Sequence, residues 1–169
     1  MRISEVKGKA IMSADGVRLG RAEDILLDSD HRRVIGLLTT DGVLSKQHIL
    51  LFGDIQTVGV DAIVVKTAAT MHDAKDWLRE GRAAIRAQTV GGKTVVTVDG
   101  AQLGTVRDLI ADDETGRVTA LEIAPSRHSR IKAPLTVHAL DEIQLGNDVV
   151  VVPNSAADID APDGGSVVV

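Results

Sequence analysis

The stretch A-Q-T-V-G-G-K-T, residues 87 to 94, carries the most suggestive chemistry in the sequence, because it fits a relaxed phosphate-loop pattern ending in G-K-T. Such a loop works only where a strand leads in and a helix leads out, so that backbone amides and the helix N-terminus converge on the phosphates. Here V-V-T-V-D-G follows, a β-branched run heading into a turn. An earlier K-G-K-A-I also leads into a strand-like run, and Lys9 is not followed by Ser or Thr. Nucleotide binding is therefore not expected at this loop.

Asp24, Asp28, Asp108 and Asp112 are the carboxylates whose spacing invites metal binding or paired acid–base chemistry. On a regular strand residues 24 and 28 share a face, unless a bulge falls between them. No histidine stands at matching positions, so turn capping and surface solvation are the expected roles. His31, His48, His72, His128 and His138 show no H-E-x-x-H or other tight ligand spacing. His128 and His138 straddle a loop and could converge, but the pair lacks nearby acids. Ser45 and His48 are close in sequence without a G-x-S-x-G elbow. With no cysteine in the chain, thiolate nucleophiles, disulfides and Cys-based zinc sites are excluded. No enzyme activity is expected, and no catalytic residue, cofactor site or metal site.

The loop S-R-H-S-R-I-K, residues 126 to 132, is the most distinctive polar patch. Arg127, His128, Arg130 and Lys132 could grip a phosphate or an acidic partner. The alternative is a solvated loop that lengthens a hairpin, since loops tolerate insertion. The charge balance around it is uneven. Residues 1–84 hold 12 basic and 12 acidic side chains, and residues 85–169 hold 7 and 12, which gives the net charge of −5. A net acidic chain is a poor general binder of polyanions. Phe52 and Trp77 are the only aromatic residues, too few for a platform that stacks single-stranded bases.

The elements that must position these residues come in two copies. D-G-V-R-L-G-R-A-E-D-I-L-L-D, from Asp15, returns as D-G-A-Q-L-G-T-V-R-D-L-I-A-D, from Asp99, 84 positions later and without a gap. V-K-G-K-A-I matches V-G-G-K-T-V, and Arg33, Val34 and Leu37 match Arg117, Val118 and Leu121. D-I-Q-T-V-G-V-D-A-I-V-V (54–65) matches E-I-Q-L-G-N-D-V-V-V-V (142–152) with one residue dropped. Self-similarity of this kind marks a repeat architecture.

Each copy reads as β. Asp15-Gly16 and Asp99-Gly100 suit two-residue type I′ hairpins. Gly20 and Gly104 lie inside strand-like sequence and predict a bulge or close backbone approach. Asp28 and Asp112 precede turns, where a carboxylate accepts local backbone N–H groups. Five or six short strands per copy, with frequent turns, predict a small barrel or sandwich. The expected division is repeat one over 1–69, a linking helix over 70–87, repeat two over 88–153 and an acidic tail over 154–169. In the linker, Ala74, Trp77, Leu78, Gly81 and Ile85 recur near helical spacing, with Thr70 and Asp73 as a capping box and Gly81 as a break point. The tail is expected to begin as a loop, with V-V-V at its end able to pair with a free sheet edge. A unit of this size buries only a modest fraction of its surface, so the two copies are expected to pack about an approximate two-fold.

The ordered set K-G-K-A-I, D-G-x-x-L-G-x-x-x-D-I-L-L-D, R-V-I-G-L-L and D-I-Q-x-V-G-V-D-A-I-V-V resembles the PRC-barrel domain. The resemblance covers residues 1–67 and 88–153. That family includes the cytoplasmic end of the photosynthetic reaction-centre H subunit and the C-terminal domain of the ribosome maturation factor RimM. It implies a mainly β fold, two tandem small barrels joined by a short helix, used for protein contact and without a family-wide catalytic site. The chain as read carries neither a transmembrane helix nor a separate RNA-facing barrel, so neither relative's role is expected to transfer directly. No apolar run approaches the ~20 residues a bilayer needs, and the charged N-terminus M-R-I-S-E-V-K-G-K does not read as a signal peptide. The expectation is a cytoplasmic, non-enzymatic module that binds a protein partner, free to form a homodimer. A ribosome- or RNA-associated assembly factor using loop 126–132 is the alternative, with nucleic acid disfavoured.

Overall fold

A computed structural model describes residues 1–40, 46–67, 70–80, 83–138 and 140–157. Runs of β-branched and aliphatic residues broken by Asp-Gly and Gly-rich turns give fourteen strands among these residues, and the two copies fold alike. In repeat one, β1 (Ala10–Ser13), β2 (Arg18–Leu27), β3 (Val34–Thr40), β4 (Gln47–Leu51), β5 (Ile55–Val58) and β6 (Ala62–Val65) lie in the order β5-β6-β1-β2-β3-β4. In repeat two, β9 (Thr94–Thr97), β10 (Gln102–Ala111), β11 (Val118–Ala124), β12 (Leu135–Val137), β13 (Gln144–Leu145) and β14 (Val149–Val152) lie in the order β12-β11-β10-β9-β14-β13. All neighbours are antiparallel except β1 with β6 and β9 with β14. Ile11 pairs with Ile63, and Val95 with Val150, at the same place in each sheet.

Among the described residues each hydrogen-bonded path ends in open edges, so each repeat is a half-barrel and the fold is mainly β with one short helix between the copies. The inner faces merge. Ile11, Leu37 and Ile63 of repeat one and Val95, Leu121 and Val150 of repeat two belong to one continuous apolar core. No described helix is long and apolar enough to cross a membrane.

The hairpin turns differ from the type I′ expectation. Gly16 and Gly100 take positive φ (88° and 86°), but Asp15 and Asp99 do not. Gly16 N donates to Ser13 O and Ser13 N to Val17 O, both at 2.9 Å, with the same pair of bonds at Thr97, Gly100 and Ala101. This is a three-residue loop, a type I turn closed by a left-handed glycine. The wider loop is held by the preceding hydroxyl: Ser13 Oγ accepts from Val17 N at 3.2 Å, and Thr97 Oγ1 from Ala101 N at 2.9 Å. Further along, the ladder slips at Ile11/Met12 opposite Gly20 and at Gln102/Gly104, where the two glycines have φ of 145° and 154°.

The seam between the copies is built by exchange. The segment leading into repeat one lies on β10 of repeat two: Ile3 N donates to Leu109 O at 3.0 Å and Ala111 N to Met1 O at 2.9 Å. The segment leading into repeat two forms β8 (Ile85–Arg86), which pairs with Leu26 and Leu27 of β2. Arg2 opposes Ile110 as Arg86 opposes Leu26, each pair 84 residues from the other. At the pseudo-two-fold, Val34 N donates to Gly116 O at 2.8 Å and Val118 N to Arg32 O at 2.9 Å.

The linker is less helical than expected. β7 (Met71–Asp73) pairs with β4, and the helix α1 spans only Ala74–Arg79. Its N-cap is Asp73, which accepts from Lys75 N and Asp76 N, whereas Thr70 donates to Thr67 O instead of capping. Gly81 lies outside the described residues. Trp77 and Ala74 cover Leu26, Leu38 and Ile49 on the outer face of repeat one. The expected loop at the start of the tail is a 3-10 turn over Asn154–Ala157, fixed by Asn154 Oδ1 accepting from Asp99 N at 3.1 Å and by burial of Ala156. The V-V-V end lies outside the described residues.

A Cβ on Gly104 would stand 2.0 Å from the Ala124 carbonyl oxygen, whereas one on Gly16 would meet nothing within 4 Å. Gly16→Ala should therefore cost only the left-handed backbone penalty, about 1–2 kcal/mol. Gly104→Ala adds a backbone clash and should cost about 3 kcal/mol or more. Urea unfolding of the two variants checks the order.

Candidate functional site

Asp24 and Asp108 are not solvated at the surface; they are buried at the seam, each 6% exposed. Alternation along β2 and β10 turns them away from the merged core, onto the face where the other repeat's leader docks. Asp108 Oδ1 accepts from Ser4 N at 3.0 Å and Leu109 N at 2.9 Å, and Ser4 Oγ donates to Oδ2. Asp24 Oδ1 accepts from Ile25 N at 2.8 Å and Gln88 N at 3.3 Å, and Arg86 Nε donates to Oδ2 at 3.0 Å. Ser4 and Gln88 are equivalent positions, so each carboxylate receives the backbone of the other repeat's leader. Buried polar groups need hydrogen-bond partners, and both carboxylates have them.

Arginines complete the seam. Arg86 donates to Glu23 Oε1 at 2.7 Å, and Arg2 forks onto both oxygens of Glu122. The hydrogen bond from Arg2 holds the Glu122 carboxyl below the usual glutamate range against the opposing effect of burial. These roles for Arg2, Arg86 and Glu122 escaped the sequence reading. The signal was present, because Arg2 and Arg86 share the 84-residue offset of the repeat.

The other expected residues separate into local duties. Asp28 Oδ1 accepts from Arg32 N at 2.7 Å and Arg33 N at 3.1 Å, while Asp112 Oδ1 accepts from Thr115 N at 2.7 Å and Glu114 N at 3.2 Å. The Thr115 hydroxyl and these amides draw the Asp112 carboxyl below the usual range. Asp15 is exposed, and Asp99 accepts from the Thr97 hydroxyl, which lowers its pKa. The phosphate-loop lysine is a strut. Lys93 Nζ donates to Gly146 O at 2.8 Å, as Lys9 Nζ donates to Gly59 O at 2.6 Å, and strand β9 follows directly.

In the loop 126–132 two residues face inward, four face outward and Ser126 is half-buried. Ser129 is buried with its hydroxyl donating to Leu103 O, and Ile131 is buried beside it. Ile131 N donates to Ser129 Oγ at 3.1 Å and Arg130 N to Gln102 O at 3.2 Å. Arg127, His128, Arg130 and Lys132 are left exposed. His138 lies elsewhere, on the wall of a cleft with Arg32 and Arg117. Ser45 lies outside the described residues, so the Ser45–His48 pair does too. Among the described residues no three His, Asp or Glu side chains converge as metal ligands.

A family model described as PRC-barrel domain matches residues 1–71 and 83–159. No curated protein sequence matches the chain. Among solved structures it is similar to one described as a 16S ribosomal RNA processing protein, RimM, of Pseudomonas aeruginosa. The two are 15% identical, the match covers 88% of this chain and 95% of that one, and the TM-score is 0.33.

His31 is buried in the β2–β3 turn with φ of 58°. Burial, with help from the nearby Lys93 charge, lowers its pKa from the usual value. The folded state thus resists a proton that the unfolded chain accepts below its ordinary pKa of ~6.5. Stability from this residue is intact above that pH and falls as pH drops through the window beneath it. Urea midpoints measured from neutral to mildly acidic pH should decline in the wild type. His31→Asn, which tolerates the left-handed backbone, should decline less.

Proposed function

The chain belongs to the PRC-barrel domain family, and from that premise we propose that it is a non-enzymatic cytoplasmic module that binds another protein. The observation that supports this most is a difference between the two half-barrels. In repeat one the outer edge of β4 is occupied by β7, with His48, Ile49 and Leu50 opposite Asp73, His72 and Met71. In repeat two the equivalent strand β12 ends its sheet among the described residues. An edge of this kind offers unpaired backbone groups to an extended segment. A partner strand would add there as β7 adds to β4, with main-chain hydrogen bonds supplying affinity and alternate side chains supplying selectivity. Two copies of the chain could use the same edge about a two-fold axis.

A second reading, an RNA-associated assembly factor, is favoured by one feature: Ser129 and Ile131 pin the 126–132 loop so that its four basic side chains face out. Phosphate contacts would make RNA affinity fall steeply with added salt. Absence of binding at low salt would remove that reading.

Affinity capture from the native cell is expected to recover a protein partner whose addition slows amide hydrogen exchange across Leu135–Val137. A partner that leaves those amides unchanged would refute the edge as the docking site. Turnover of a small molecule by the purified chain would refute the non-enzymatic reading.

A further inference from the structure

Arg33 and Arg117 face each other across an isolated antiparallel bridge at the pseudo-two-fold seam. The flanking bonds, Val34 N to Gly116 O and Val118 N to Arg32 O, make this a non-hydrogen-bonded pair. In that geometry the Cα atoms approach to about 4.5 Å and the side chains are at their closest. Val34 and Val118 on either side turn into the core, so both arginines turn outward, and both are exposed. Like charges directly opposed in a sheet are destabilising. Among the described residues neither guanidinium has an ion-pair partner.

Of the acids on the adjoining segments, four are engaged elsewhere, and the exposed Asp30 and Glu114 pair with neither arginine. Asp28 and Asp112 each accept backbone amides of their own turns. Asp113 pairs with the N-terminal amine, and Asp141 with Arg32 at 3.0 Å. Arg117, though not Arg33, also lines a cleft of about 320 Å³ whose walls include Arg32, Thr119, His138, Leu140 and Asp141, the last held by Arg32.

We propose that Arg33 and Arg117, facing each other across the seam, form a binding site for a single phosphate group. Two guanidinium forks present paired donors to a tetrahedral oxyanion. A phosphate dianion also cancels both charges, which a lone carboxylate cannot. Exposed Asp30 and Glu114 on the flanking turns would repel the neighbouring phosphates of a polymer, so the site suits one phosphate and not a nucleic-acid backbone. The site is independent of the protein-binding reading and of the 126–132 loop.

Thermal unfolding of the full chain at constant ionic strength, with rising inorganic phosphate exchanged for chloride, tests this. The midpoint should climb and saturate, as mass action requires of a ligand that binds the folded state. R33Q/R117Q should show no phosphate-dependent shift, and R127Q/R130Q should behave as wild type. Without phosphate and at low salt, R117Q should melt at or above the wild-type temperature, because the repulsion is relieved. R33K/R117K keeps the charges but loses the forks, and should need several-fold more phosphate for the same shift. Phosphoserine in place of inorganic phosphate separates the sources: an equal shift points to a phosphate ester, and no shift to the free anion. A wild type without a saturable shift, a shift that survives in R33Q/R117Q, or tighter binding of an RNA oligonucleotide through these arginines would overturn the proposal.

Discussion

The exchange of leader segments across the seam is the interaction on which the rest of the molecule depends. A β unit of roughly 70–80 residues buries only a modest share of its surface and is marginal alone. Here Met1–Ile3 extends the sheet of repeat two, and Ile85–Arg86 extends that of repeat one. Asp108 and Asp24, buried and hydrogen-bonded to the incoming backbone, fix where each leader sits. The aliphatic interior then runs through both copies without a break. Neither half has its full complement of strands or satisfied carboxylates without the other.

The two copies have diverged most on their outer faces, and the divergence is chemical. Ile35, Leu38, Ile49 and Leu51 of repeat one are apolar and lie under Ala74 and Trp77. The equivalent positions in repeat two are Thr119, Glu122, Thr136 and His138. The first face must be covered to keep apolar area from water, which explains why a strand and helix follow repeat one. The second face needs no cover, and Arg2 lies on its Glu122 instead. The same difference leaves β12 at the edge of its sheet among the described residues, where β4 is enclosed.

Much of this architecture was legible in the sequence, because the repeat offset and the β alternation are local or periodic signals. Two mainly β units stand in tandem, as the repeat offset implied. Details set by non-local contact were not legible. Thr70 looked like a cap, yet β7 pairs with β4, and Asp73 became the first residue free to cap. Asp15-Gly16 allowed two turn types, and the Ser13 hydroxyl reaching Val17 N favoured the wider one. Asp24 and Asp108 read as surface carboxylates because their donors, Gln88 and Ser4, are 64 and 104 residues away. The basic residues of loop 126–132 are placed outward by Ser129 and Ile131, whose burial no local pattern announced.

If leader exchange makes the two half-barrels one cooperative body, differential scanning calorimetry of the intact chain measures it directly. The expected result is a single transition whose calorimetric and van't Hoff enthalpies agree. Two resolved transitions, or a van't Hoff enthalpy well below the calorimetric one, would mean that each repeat melts by itself and would contradict the account.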